Sequence, residues 1–180
     1  MQPEGSLVEL CHVVEDFDAA LEHWTRDLGA RPFFTFDVPV LPGQLYYDEP
    51  TEVALRVGFG FSGGQLIELL AQTNDGASPF RDFLERNGPG LHHVMPRTDF
   101  EAGVKRLTDA GFPIAFSGQM PSGERFRLFD TCKAHGYYIE LMEMSDDIRQ
   151  SLALMERAHA EWDGVTDPVR PMSRLAEYAA

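Results

Sequence analysis

The sequence predicts an α+β fold made of one βαβββ unit written twice, followed by a helix and an extended arm. Three observations predict it. A stretch beginning at His12 is repeated from His93; three short runs of strand character trail each copy; and a helical pattern unrelated to either copy begins after Met144.

In the repeat, "HVVEDFDAALEHWTRDLGARPFF" lies above "HVMPRTDFEAGVKRLTDAGFPIAF", so that Asp16-Phe17 falls on Asp99-Phe100, Leu21 on Val104, Trp24 on Leu107 and Gly29 on Gly111. Each copy reads as a strand, an aspartate that caps a helix, apolar residues at helical spacing, and a glycine that stops the helix. The strand-like runs that follow are Arg31–Val40, Glu52–Phe61 and Gln65–Ala71 in the first copy. In the second they are Pro113–Gly118, Arg125–Asp130 and Tyr137–Met142. The connecting segment contains a short helix around Pro79–Asn87 and leaves through a Gly-Pro-Gly turn. This gives a domain over 1–144, with module one at about 7–72 and module two at about 90–144. Residues 145–180 form the appendage, where Ser145 caps a helix running to about Trp162 with an apolar stripe of Ile148, Leu152 and Met155.

Composition narrows the function. With 15 Lys+Arg against 29 Asp+Glu, the net charge of −14 opposes nucleic acid and anionic lipid surfaces. No apolar run approaches the ~20 residues that span a bilayer, and "MQPEGSLVEL" lacks the basic and apolar regions of a signal peptide, so a cytoplasmic protein is expected. The two cysteines indicate no disulfide framework. Cys11 reads as a small buried hydrophobe; Cys132, beside Lys133 and His135, is the one rival nucleophile.

Strand alternation sends His92 and His93 to opposite faces, and the alignment of His12 with His93 puts those two in a shared cleft. His92 is then a packing residue on the helix side. In "LIELL" and "YIELM", Glu68 and Glu140 each stand in an apolar strand, where an unpaired carboxylate costs several kcal/mol and calls for a cation. Two imidazoles and two carboxylates suit a divalent first-row metal ion such as Zn, Ni, Co, Mn or Fe.

These paired elements, with "FRDFLERNGPGLHHV" and "HGYYIELME", resemble the vicinal oxygen chelate superfamily of glyoxalases, bleomycin-resistance proteins and dioxygenases. The rhythm from "EVALRVGFGF" to "LHHV" is similar to its methylmalonyl-CoA epimerase-like members. The resemblance implies a cupped mixed sheet around a divalent metal, with His12, Glu68, His93 and Glu140 at the ligand positions. It also implies an isomerase, epimerase or lyase that transfers a proton next to a carbonyl polarised by the metal. Glu140 is the candidate base and Glu52 a second catalytic acid. The substrate would be a small molecule with vicinal oxygens, such as an acyl-CoA, and the assembly a homodimer. A glyoxalase I-like lyase and a non-catalytic, resistance-type binding protein are the alternatives.

Overall fold

A computed structural model describes residues 4–179. Module one comprises β1 (Leu7–Val13), α1 (Phe17–Glu22), β2 (Phe33–Val38), a small hairpin of β3 (Leu45–Tyr46) and β4 (Glu49–Pro50), then β5 (Leu55–Ser62) and β6 (Gln65–Gln72). The linking helix α2 (Pro79–Asn87) leads into module two, which runs β7 (Gly90–Pro96), α3 (Phe100–Asp109), β8 (Ile114–Gln119), β9 (Arg125–Phe129), a single turn α4 (Cys132–His135) and β10 (Tyr138–Met142). The appendage is α5 (Asp146–Ala160), β11 (Val169–Pro171) and a 3-10 helix over Met172–Tyr178.

Short polar side chains start the helices. Asp16, Ser78, Asp99 and Ser145 each accept a backbone N–H three residues ahead, satisfying a donor that the first turn leaves open. Glycines allow the closest helix–sheet approach: a Cβ at Gly103 of α3 would sit 2.9 Å from Leu141 of β10, so the helix rests directly on that strand.

The described strands form one sheet in the order β11-β2-β5-β6-β1-β7-β10-β9-β8-β3-β4. Its centre is the antiparallel pair β1/β7, flanked by the parallel pairs β1/β6 and β7/β10. The fold is therefore α+β, with two βαβββ modules meeting along their first strands to form a cupped mixed sheet. Helix α1 covers the convex face of module one through Phe17 and Leu21, and α3 covers that of module two through Phe100 and Leu107. The concave face is lined by alternate residues of the same strands.

Three elements fall outside the expected repeat. The β3–β4 hairpin reaches across to pair with β8, and its turn residues Tyr47 and Asp48 both have positive φ, of 47° and 66°. Such a turn is usually announced by Asn-Gly or Asp-Gly, which this loop lacks. The Tyr47 hydroxyl donates to Asp130 at 2.6 Å and ties the hairpin to module two. The arm also holds more order than an extended chain, since β11 runs parallel to β2 and Leu175 packs with α5. Helix α5 lies over the concave side, where Met155 and Ala158 are buried with Phe34, Phe61 and Leu66.

Candidate metal centre

The central strands bring four side chains together. Register opposes Cys11 to both His93 and Glu68, and Tyr138 to His93, so His93 of β7, Glu68 of β6 and Glu140 of β10 converge on the concave face. The fourth member is Glu9 of β1. Nε2 of His93 lies 2.8 Å from Glu140, 3.3 Å from Glu68 and 3.5 Å from Glu9. Glu9, Glu68 and His93 are buried, and Glu140 is the most open of the set.

His12 is not in this cluster, which corrects the expected arrangement. Glu9, Cys11 and Val13 alternate onto the concave face, leaving Leu10 and His12 on the other. The His12 ring stands edge-on to Trp24, with centroids 5.0 Å apart. The repeat alignment chose the wrong residue because it matched residue type, whereas facing is set by strand parity. The signal for Glu9 was present: Val8-Glu9-Leu10 is the same apolar-acid-apolar triplet as Ile67-Glu68-Leu69 and Ile139-Glu140-Leu141.

His92 needs a second correction. The β1/β7 register skips from Cys11↔His93 to His12↔Leu91, leaving His92 as an extra residue in a bulge. Alternation fails there. The His92 ring stacks on Tyr138 at 4.6 Å between Phe80 and Phe83 of α2, and its Nδ1 lies 2.9 Å from Nδ1 of His93. One of those nitrogens must carry the proton. Burial and the charge of His93 hold His92 well below the usual imidazole range, so His92 is neutral. With Nδ1–H of His93 donating to the neutral His92, Nε2 of His93 faces the three carboxylates; it carries a proton in the metal-free chain and would give that proton up to bind a cation.

The electrostatics fit a cation. Burial, then repulsion from Glu68, pushes the Glu9 carboxyl up to about 8. Burial opposes charge on His93, but the neighbouring Cys11 and Glu140 outweigh it and hold the imidazole well above its ordinary range. Burial also pushes the Cys11 thiol well up, so it stays neutral and Glu140 is the partner that matters. Nε2 of His93 is buried without a well-directed hydrogen bond among the described residues. One ligand atom from each of Glu9, Glu68, His93 and Glu140 can be chosen so that all lie within 4.8 Å of one another. Three carboxylates and an imidazole suit a divalent ion of intermediate hardness, as an NO3 set and not the expected N2O2.

Other candidates lie elsewhere. Glu52 is exposed in the loop before β5, where its backbone carbonyl accepts from Asn74 at 2.9 Å, and its side chain does not line the cavity. The polar side chain on that wall is buried Gln44, whose amide is used up in two hydrogen bonds to the Val53 backbone, at 2.7 and 3.0 Å. Burial and Asp130 raise the Cys132 thiol to about 11, opposite to the lowering expected from Lys133 and His135, and Cys132 is also outside the cavity.

The four residues stand in the wall of a cavity of about 420 Å³ bounded by both modules, with Ile148, Leu152 and Met155 of α5 completing it. Sequence comparison assigns the domain: the profile of the Glyoxalase/Bleomycin resistance protein/Dioxygenase superfamily matches residues 9–129. A comparison with curated proteins finds no match. Among solved structures, methylmalonyl-CoA epimerase from Mycobacterium tuberculosis is similar at 22% identity and TM-score 0.55, over 81% of this chain and 91% of that one. A hypothetical protein from Bacillus halodurans C-125 aligns at 18% identity and TM-score 0.57, over 80% and 97%. A single-residue variant of the Streptomyces coelicolor methylmalonyl-CoA epimerase, in complex with 2-nitronate-propionyl-CoA, aligns at 21% and 0.54, also over 80% and 97%. These likenesses establish the fold, and the profile match over most of the chain shows that it belongs to the Glyoxalase/Bleomycin resistance protein/Dioxygenase, or vicinal oxygen chelate, superfamily.

Proposed function

We propose that the cup holds a divalent metal ion and catalyses proton transfer at a carbon next to a carbonyl, as an isomerase, epimerase or lyase. The observation that carries this reading is the buried Glu9–Glu68–His93–Glu140 cluster, one ligand atom of each lying within 4.8 Å of all the others. A bound divalent ion would supply a Lewis acid that polarises the carbonyl and acidifies the adjacent C–H.

The chain's own residues supply the rest. His92 fixes the tautomer of His93 and so aims its Nε2. Three carboxylates exceed the charge of one divalent ion, which leaves one able to exchange a proton. Glu140 is suited to that role because its side chain is 15% exposed, against 9% for Glu68 and 6% for Glu9, and so meets the open space of the cavity. Moving a proton from substrate carbon to Glu140 and back leaves the total charge of the cup unchanged, which suits a buried site.

Two measurements test the reading. Elemental analysis of chelator-free protein is expected to show about one divalent ion per chain, and NMR in heavy water is expected to show metal-dependent deuterium uptake next to a carbonyl. Glu140→Gln should abolish uptake while metal is retained under saturating conditions. Full uptake in metal-depleted protein, or in Glu140→Gln, would overturn the reading.

A further inference from the structure

Six of the seven methionines in the chain line this one cavity: Met95, Met120, Met142, Met144, Met155 and Met172. The seventh is Met1, outside the described residues. Unbranched, polarisable side chains adapt to the shape of an apolar guest, and such clustering marks surfaces that bind hydrophobic ligands. Phe36, Phe59, Phe116 and Phe126 complete the wall.

Outside the His93 imidazole, charge in the cavity has one sign. Beyond Glu9, Glu68 and Glu140, its lining includes Glu124 and Asp147, and no lysine or arginine among the described residues. Strand parity accounts for this: Arg56 of β5 sits over Phe17 on the convex side, and Arg125 of β9 lies over Phe100, paired with Glu101 and Glu143. A larger cleft adjoins the cavity, sharing Met95, Met142, Met144 and Leu152 with it. It offers Arg97 and Arg149, but these stand among Glu4, Asp99, Glu101, Glu143 and Glu156. An anion entering by that route meets net negative charge, then a chamber whose described lining holds no lysine or arginine. Even with a divalent ion bound, the three ligand carboxylates leave the cluster at net negative charge and Glu124 and Asp147 add to it, so desolvating an anion there costs several kcal/mol with no net positive charge to offset it.

We infer that the substrate is an uncharged, apolar carbonyl compound, and that acyl-CoA thioesters are excluded. The cavity of about 420 Å³ is large enough to take the body of a drug-sized ligand. The substrate's apolar body faces the methionines, and its carbonyl oxygen faces the metal that the acidic cluster would hold. The carbonyl rests on the metal-dependent reading above; the neutral, apolar character rests on the lining alone.

Methyl-13C methionine labelling of the full chain tests this directly, with the cavity methyls assigned by single Met→Leu variants. Zn2+-loaded protein is titrated with 1-phenyl-1,2-propanedione, phenylpyruvate and methylmalonyl-CoA. The dione is expected to shift the cavity methyls saturably, phenylpyruvate to bind at least tenfold more weakly, and methylmalonyl-CoA to leave them unmoved. In the combined variant Glu124→Gln, Asp147→Asn, the gap between dione and phenylpyruvate should narrow threefold or more. Methylmalonyl-CoA binding as tightly as the dione, or a dione that shifts no cavity methyl, would overturn the inference. A separate titration with Mn2+ reads the metal site through paramagnetic broadening of the Met95 and Met142 methyls. Dione binding without broadening removes the metal reading and keeps the neutral, apolar substrate class, whereas broadening with tight thioester binding does the reverse.

Discussion

Module one sends two carboxylates into the cup, Glu9 and Glu68, whereas module two sends an imidazole and a carboxylate, His93 and Glu140. The backbones are arranged alike about the β1/β7 pair, so the difference is one of side chains and of the bulge at His92. Module one has its own first-strand histidine, but strand parity turns it toward Trp24. A duplicated fold thus repeats positions more faithfully than it repeats chemistry, and a single imidazole serves both halves of the site.

The strongest way to break this comparison is to remove that imidazole. His93→Ala should lower divalent-ion affinity by about 100-fold or more, since loss of an outer-shell partner alone costs 10–100-fold; calorimetric titration of folded protein measures it. His92→Ala tests the outer partner and should cost about tenfold through the lost orientation of His93.

Glu9 gives the next effect, with opposite signs in the two metal states. Its folded pKa of about 8 exceeds the ordinary 4.5, so the native chain holds that proton more tightly than the unfolded one does. Metal-free stability should therefore fall as pH rises from about 4.5 through about 8, the raised imidazole of His93 acting in the same direction. Glu9→Gln should raise the metal-free Tm at alkaline pH by about 2–4 °C for each kcal/mol of repulsion relieved, and have little effect near pH 4.5. The same change should weaken metal binding. Thermal melts across pH, with and without Zn2+, separate the two effects.

The smallest effect sharpens the contrast from the other side. His12→Ala should cost about 0.5–1.5 kcal/mol through the lost edge contact with Trp24, while leaving metal affinity within about twofold. A metal loss comparable to that of His93→Ala would mean that His12 reaches the cup after all.

Much of this architecture was legible in the sequence, because it rests on local signals. Asp16, Ser78, Asp99 and Ser145 mark the helix starts, and the linking helix spans Pro79–Asn87 as the pattern indicates. Placing Glu68, His93 and Glu140 together required only matched apolar strands. What failed depends on facing and register. A bulge of one residue set His92 beside His93, and a shared residue type favoured His12 over the acid three positions earlier. Glu52 came from the resemblance, whose pattern does not say which way the loop before β5 turns its side chains. Gln44, β3 and β4 were missed because a turn at Tyr47-Asp48 has no glycine to announce it.

The sheet's borders carry a consequence for assembly. At one border β11 screens β2; at the other β3 screens β8, with β4 outermost. These border strands are two or three residues long and include Pro50 and Pro171, so neither offers a run of free backbone donors and acceptors to an incoming strand. Borders this short and proline-bearing disfavour growth by strand addition, so that a face, a loop or α5 offers a second copy of the chain the better docking surface.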